Sequence, residues 1–159
     1  MASGRPATRA LSLGALALTL TLAADAQPGS FVEYELSALG AGAQNMGAVG
    51  EGRLPVRPNE ASASGGLRVR GSGSRGSLRV IEIRLASASA GASASCGGGA
   101  AVSLTFASGS EVAAADGQCE VTLESVDAQR ARGRYSATLV HGRVSMSVRG
   151  RFDARLGAR

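Results

Sequence analysis

The sequence has no lysine, no tryptophan and a single histidine, and it contains only two cysteines in 159 residues. Metal sites draw on clusters of His, Cys, Asp or Glu at short, recognisable spacings. One histidine, two distant cysteines and scattered carboxylates do not supply such a cluster, so we expect no metal and no other cofactor. A serine hydrolase of the G-x-S-x-G type is also not indicated, because that motif is absent.

Aromatic side chains are equally scarce, and we expect a thin core because alanine and glycine bury little surface. The aromatic residues after the N-terminal segment are Phe31, Tyr34, Phe106, Tyr135 and Phe152. Proteins that bind single-stranded nucleic acid stack bases on aromatic side chains, so nucleic acid is not an expected partner. The pairs Glu33 with Glu35 and Glu120 with Glu124 could serve a glycosidase, but few aromatic residues remain to hold a sugar beside them.

No apolar run reaches the roughly 20 residues that cross a bilayer. The longest, residues 10–24, follows two arginines and precedes an Ala-Asp-Ala motif ending at Ala26. This order is typical of a secretory signal peptide. We therefore predict a signal peptide over residues 1–26, cleaved before Gln27. The remaining residues 27–159 are predicted to form one exported domain, periplasmic or extracellular, without a transmembrane segment.

Apolar and polar residues alternate with a period of two in several segments, which is typical of strands with one buried side. Seven strands are predicted, at residues 31–37, 67–70, 77–85, 102–106, 119–124, 134–139 and 144–156. Residues 53–58 could add a short edge segment, and the Gly/Ala/Ser-rich stretches 40–52 and 86–99 are predicted loops. Since no segment carries the apolar stripe of a helix, we predict an antiparallel all-β sandwich or small barrel of about seven strands.

The last two predicted strands can be aligned as a hairpin. If His141-Gly142 forms a two-residue turn, Tyr135 faces Val148 on the apolar side and Arg134 faces Arg149 on the polar side. A slip by one residue would mix the two sides, so the pattern favours this register. The sole histidine is therefore predicted to be a turn residue, with a catalytic base as the alternative.

Cys96 and Cys119 are predicted to form a disulfide. Two cysteines in an exported chain usually pair with each other, and a redox or metal-binding pair would show a C-x-x-C spacing. The crosslink would stabilise a thin core by about 3 kcal/mol in the chain-entropy model.

Residues 71–76 match the pattern G-x-G-x-x-G of dinucleotide-binding loops. Such a loop has to lie between a strand and a helix, so that the helix N-terminus meets the pyrophosphate. Here a predicted strand follows, at residues 77–85. We therefore interpret the motif as a Gly-Ser turn between two strands.

Arginine side chains on the polar side of the last hairpin are the strongest functional candidate. They are Arg132, Arg134, Arg149 and Arg151, with Arg155 as a further member. Like charges that face each other destabilise a sheet, so this group calls for anions. Glu120 and Glu124 of the preceding strand could form an internal ladder with them. Alternatively, the arginines could bind an external anion such as lipopolysaccharide phosphate or an acidic envelope glycan.

The run CEVTLESVDAQRARGRYSATL, which begins at Cys119, and the closing VSMSVRGRFDARL resemble the C-terminal strands of exported bacterial proteins of unknown function. In those proteins a G-x-F-x-x-x-L strand follows a V-x-x-x-x-x-D turn, and a second G-x-F strand closes the domain. The resemblance covers about the last forty residues. It implies an envelope β-sandwich and carries over no catalytic or binding residue.

These patterns together predict a non-catalytic exported protein that acts in the envelope through its surface. The first alternative is an anion-binding or acidic-glycan-binding module that uses the Arg-rich face. The second is a small secreted hydrolase built around His141.

Overall fold

The computed structural model describes residues 29–41, 43 and 49–157, and the regular elements among them are β-strands. Two antiparallel sheets pack face to face. The predicted all-β fold is therefore confirmed, and the sandwich is the architecture adopted. The predicted signal peptide and its cleavage site lie outside the described residues. Within those residues, no helix has the length and apolar character needed to span a bilayer.

Eleven strands are present in the described ranges. Their bounds are β1 Phe31–Leu39, β2 Gly50–Pro55, β3 Ala61–Ser62, β4 Leu67–Ser72, β5 Leu78–Leu85, β6 Ser93–Ser95, β7 Ala100–Phe106, β8 Glu111–Ala113, β9 Cys119–Val126, β10 Arg130–His141 and β11 Val144–Arg155. One sheet has six strands in the order β2-β1-β11-β10-β9-β6, and the other has five in the order β3-β4-β5-β7-β8.

All seven predicted strands are present, and four short strands, β2, β3, β6 and β8, add to them. Of these, the edge strand β2 overlaps the proposed edge segment 53–58 at residues 53–55. The predicted loops are therefore wrong in part, because β2 begins inside 40–52 and β6 lies inside 86–99. Strand β6 consists of small residues that pair with β9 through their backbones. Side chains of this size give no alternation of apolar and polar residues, so the sequence pattern does not reveal the strand.

The core lies between the two sheets and is built by the inward side chains of the long strands. Fully buried members include Val32, Ile83, Leu104, Leu123 and Phe152. The change of phase within β5 coincides with a shift in its register to β7, as a β-bulge produces. Among the described residues no charged side chain is buried. The charged groups therefore lie on the outer faces of the two sheets and in the turns between strands.

The predicted disulfide is confirmed. Cys96 and Cys119 are bonded, with 5.0 Å between their Cα atoms. Cys119 begins β9, and Cys96 directly follows the edge strand β6. The crosslink therefore holds a three-residue edge strand against a long inner one.

The turn of the last hairpin differs from the predicted one. The turn residues are Gly142 and Arg143, while His141 is the last residue of β10 and pairs with Val144. Gly142 has a φ of 62°. A type II′ turn requires a positive φ at its first central position and favours glycine there. Glycine thus occupies the first position of the turn, for which histidine was predicted.

This one-residue displacement of the turn shifts the pairing by two positions. Arg134 faces Arg151 instead of Arg149, and Tyr135 faces Gly150 instead of Val148. An even shift keeps every side chain on its original side of the sheet. The predicted inner and outer sides are therefore correct although the predicted partners are wrong.

Candidate functional site

The outer face of the six-stranded sheet forms an open trough of about 1050 Å³, which we call the outer trough. Its lining comes from β1, β2, β9, β10 and β11. Neighbouring strands lie about 4.8 Å apart, so five strands give the trough a length of about 19 Å. The charged residues that line it are Glu33, Glu35, Glu51, Glu120, Arg53, Arg134, Arg149 and Arg151. With four carboxylates and four guanidinium groups, this lining is balanced in charge.

Antiparallel pairing arranges the trough side chains in two rows that run across the strands. The first row is Glu51, Glu35, Arg149, Ser136 and Glu120. The second row is Arg53, Glu33, Arg151, Arg134 and Thr122. Each row therefore mixes acidic, basic and hydroxyl side chains over the full width of the trough, with like charges adjacent at Glu51 and Glu35 in the first row and at Arg151 and Arg134 in the second.

Strand β1 supplies the carboxylates that neutralise the arginine side chains of β11. Its odd-numbered residues point outward because Val32 and Leu36 point into the core. Glu35 accepts two hydrogen bonds from Arg149, at 2.9 Å and 3.0 Å, and Glu33 accepts from Arg151. The carboxylates predicted to neutralise the arginines, Glu120 and Glu124, lie on β9 instead. The contribution of β1 is not predictable from the sequence, because the pairing of the first strand with the last leaves no local sequence signal.

Glu33 is the most strongly engaged carboxylate in the trough. Hydrogen bonds from Arg151, and then from Arg53, lower its pKa from 4.5 to about 2, and the same contact with Glu33 raises the pKa of Arg151. The Arg53 guanidinium also lies over the ring of Phe31, 4.0 Å from its centroid. Glu33 is thus a carboxylate at neutral pH and has no proton to donate as the general acid of a glycosidase.

The four arginines predicted as an anion-binding group do lie together, but they differ in how firmly they are held. Arg149 and Arg151 are bound to the glutamates of β1, and Nε of Arg132 donates to Asp153 at 3.1 Å. Within the described ranges, the one ion pair of Arg134 is with Glu124, at 3.7 Å, and its side chain is 70% exposed. Arg134 is therefore the member of the group most available to an external anion.

The other residues proposed for this face have different positions. Glu120 lines the trough, and its carboxylate accepts a hydrogen bond of 3.3 Å from the hydroxyl of Ser93. Arg155 lies beyond the trough, opposite Arg130 across the hairpin. Of the two carboxylates proposed on β9, only Glu124 pairs with one of the predicted arginines among the described residues.

Arg134 and Arg151 face each other directly across β10 and β11. Like charges in this position repel, and a bound anion between them would remove the repulsion. Thr122 faces Arg134 from β9, and Ser136 follows two residues along the same side of β10. Two guanidinium groups and two hydroxyl groups thus occupy one small region of the trough, where they could hold a carboxylate and neighbouring hydroxyls.

A contact that the sequence pattern does not predict fixes the backbone under the trough. The buried Tyr135 hydroxyl donates a hydrogen bond of 2.9 Å to the backbone carbonyl of Glu33, and burial raises the pKa of Tyr135. Tyr135 faces Gly150, where a Cβ atom would lie only 1.9 Å from that carbonyl oxygen. Glycine at this position therefore lets β1 approach β11 closely and holds Glu33 over the trough.

Catalytic and metal sites have less support from the geometry. His141 lies at the exposed end of the hairpin, outside the trough, and its side chain has no hydrogen-bond partner among the described residues. Among all the residues that the structure describes, no three His, Cys, Asp or Glu side chains are grouped so that they could hold a metal ion. The G-x-G-x-x-G motif joins β4 to β5 and is followed by a strand, as predicted.

Comparison with known protein families, with curated proteins and with solved structures finds no match for this chain. The resemblance of the C-terminal strands to exported bacterial proteins therefore stays a prediction.

Proposed function

We propose that this is a non-catalytic exported protein that acts by binding a ligand in the outer trough. The observation that carries the proposal is a trough about 19 Å long whose side chains are held by ion pairs across the strands. Side chains that are already ordered lose little further entropy when a ligand binds. The disulfide supports export, because such bonds persist in oxidising compartments.

The state of the acidic residues supports binding over hydrolysis. A glycosidase needs one carboxyl group that stays protonated near neutral pH and a second that is ionised. Glu33 and Glu35 both accept hydrogen bonds from arginine, and for Glu33 these bonds lower the pKa, which favours its ionised form. A hydrolase around His141 would need a nucleophile within hydrogen-bond reach, and the described residues provide no such contact.

Arg134 favours an acidic glycan as the ligand class. A guanidinium group binds a carboxylate through two parallel hydrogen bonds, and the hydroxyls of Thr122 and Ser136 can pair with sugar hydroxyls. The balanced charge of the trough gives no general attraction for a dense polyanion such as lipopolysaccharide phosphate. A hydroxyl-rich envelope glycan with separated carboxylates therefore fits the trough better.

Titration calorimetry with tetragalacturonate tests this proposal. Arg134→Ser should weaken binding by about tenfold or more, which is the loss of roughly 1.4 kcal/mol expected for one charge-assisted contact. Arg70→Ser is the matched control, because Arg70 is an exposed arginine of β4 in the other sheet. Equal weakening by both substitutions would contradict the proposed site. Hydrolysis of the oligosaccharide that disappears in His141→Ala would replace binding with catalysis.

A further inference from the structure

The two described sheets have four edge strands, and one of them differs from the rest. Strands β3, β6 and β8 contain two or three residues each, whereas β2 contains six. Short edge strands protect a protein against pairing with other chains. Strand β2 ends with Pro55 but has no proline within its first five residues. It is therefore the longest unprotected edge of the described sandwich.

The backbone groups that β2 presents at its open edge follow from its pairing with β1. The amide of Val56 donates to the carbonyl of Ser30 at 2.9 Å. In an antiparallel pair, alternate residues direct both backbone groups toward the partner strand. The even-numbered residues of β2 therefore bond to β1. The amides and carbonyls of Glu51 and Arg53 point away from β1 and form the open edge.

We infer that β2 pairs with β2 of a second copy of this chain, antiparallel, with Gly52 on the two-fold axis. In this register Glu51 lies opposite Arg53 of the second copy, and the reverse pair forms by symmetry. Shifting the register by two in either direction would place Glu51 against Glu51 or Arg53 against Arg53, and like charges in that position are destabilising. A shift by one would mix the inner and outer sides.

The groups at this edge fit such a partner. Glu51 has no ion pair or hydrogen-bond partner for its carboxylate among the described residues, and Arg53 is 56% exposed. Val49 is 59% exposed, and in the inferred register it would lie against Pro55 of the second copy. The carbonyl of Pro55 can still accept the Val49 amide, so the missing proline N–H removes one hydrogen bond from each half of the interface.

Gly52 suits the position on the axis. Because the backbone groups of Gly52 bond to β1, the two Gly52 residues would face each other across the axis as a non-hydrogen-bonded pair. In such a pair the two Cα atoms come within about 4.5 Å. The Tyr34 ring already occupies the place of a Gly52 side chain, with its hydroxyl 2.6 Å from where a Cβ atom would be. The paired sheets would then continue into each other, and the two outer troughs would lie on one face of a twelve-stranded sheet.

Analytical ultracentrifugation of the purified protein with charge-reversed variants tests the inference. Wild type should show a monomer–dimer equilibrium. Glu51→Arg alone and Arg53→Glu alone should each raise the dissociation constant about tenfold or more. The double variant Glu51→Arg/Arg53→Glu restores opposite charges across the axis and should return the constant to within about threefold of wild type. Glu111→Arg, on the short edge strand β8, is the control and should not change it.

Arg53 also contacts Glu33 and Phe31 within one copy, so the Arg53→Glu substitution changes the monomer as well as the interface. A second variant therefore leaves Arg53 in place. Glu51→Pro removes an amide that points only toward the open edge. It should abolish dimerisation while the circular dichroism spectrum and the unfolding midpoint of the monomer stay unchanged. A wild-type protein that remains monomeric at millimolar concentration would overturn the inference. So would a dimer that is indifferent to both charge reversals and to proline at position 51.

Discussion

Replacing Glu33 with glutamine removes the carboxylate that Arg53 and Arg151 share. The side chains of Arg53 and Arg151 are 56% and 67% exposed, and the Glu33 side chain is 25% exposed. Pairs of this kind stabilise a protein by about 0.2–1 kcal/mol each. The lowered pKa of Glu33, about 2 against 4.5, would correspond to roughly 3 kcal/mol without solvent screening. Because both partners are largely exposed, we expect Glu33→Gln to lower the free energy of unfolding by about 1–2 kcal/mol at pH 7.

The pH dependence of this loss separates the ion pairs from other effects of the substitution. Glu33 has a lower pKa in the folded than in the unfolded chain, so its contribution is complete above pH 4.5. It is lost as the pH falls from 4.5 toward 2, because the carboxylate of the unfolded chain binds a proton in this range while the folded one stays ionised. The variant has no group to titrate at this position. The stabilities of wild type and Glu33→Gln should therefore converge toward pH 2.

Urea unfolding followed by circular dichroism at low salt, from pH 7 down to pH 2.5, measures this convergence. Glu111→Gln is a suitable control, because Glu111 is exposed on β8 and its carboxylate has no ion pair or hydrogen-bond partner in the described part of the chain. A Glu33→Gln deficit that keeps the same size across the whole pH range would refute the assignment of the loss to the arginine contacts. A deficit equal to that of Glu111→Gln at pH 7 would refute it as well.

Three further predictions concern the backbone under the trough and the edge of the sheet. Gly150→Ala should lower the free energy of unfolding by about 2–4 kcal/mol, because the new Cβ atom meets the Glu33 carbonyl. Gly29→Ala is the control and should leave the free energy of unfolding unchanged, because the space around Gly29 is open. Equal urea midpoints for the two variants would contradict this prediction. Tyr135→Phe should cost about 1–2 kcal/mol in the same assay, since the carbonyl loses its donor, and an unchanged midpoint would show that the hydrogen bond is dispensable. Reduction of the disulfide should lower stability by about 3 kcal/mol; a melting temperature unaffected by reductant would contradict the chain-entropy estimate.

The long strands and their inner and outer sides could be predicted because apolar and polar residues alternate along the length of each strand. In β11, for example, Val148 and Phe152 point inward while Arg149 and Arg151 point outward. The disulfide was predictable for a different reason, since two cysteines allow one pairing. Short strands such as β6 were not predictable, because small side chains bury too little surface to leave a pattern.

The composition of the trough was only partly predictable. Local alternation places Arg134 and Arg151 on the outer side, but it leaves registers that differ by two positions equally acceptable. The choice between them depended on which residue occupies the first position of the turn. The pairing of β1 with β11 is a contact between the two ends of the domain, so the role of Glu33 and Glu35 as counter-charges could not be read from neighbouring residues.

The binding role of the outer trough is tested most directly by an amide chemical-shift titration of isotopically labelled protein with tetragalacturonate. We predict that the shifted amides lie on β1, β2, β9, β10 and β11, the strands that line the trough, and that the shifts weaken strongly in Arg134→Ser. Shifts confined to the five-stranded sheet, or none at millimolar oligosaccharide, would contradict that role.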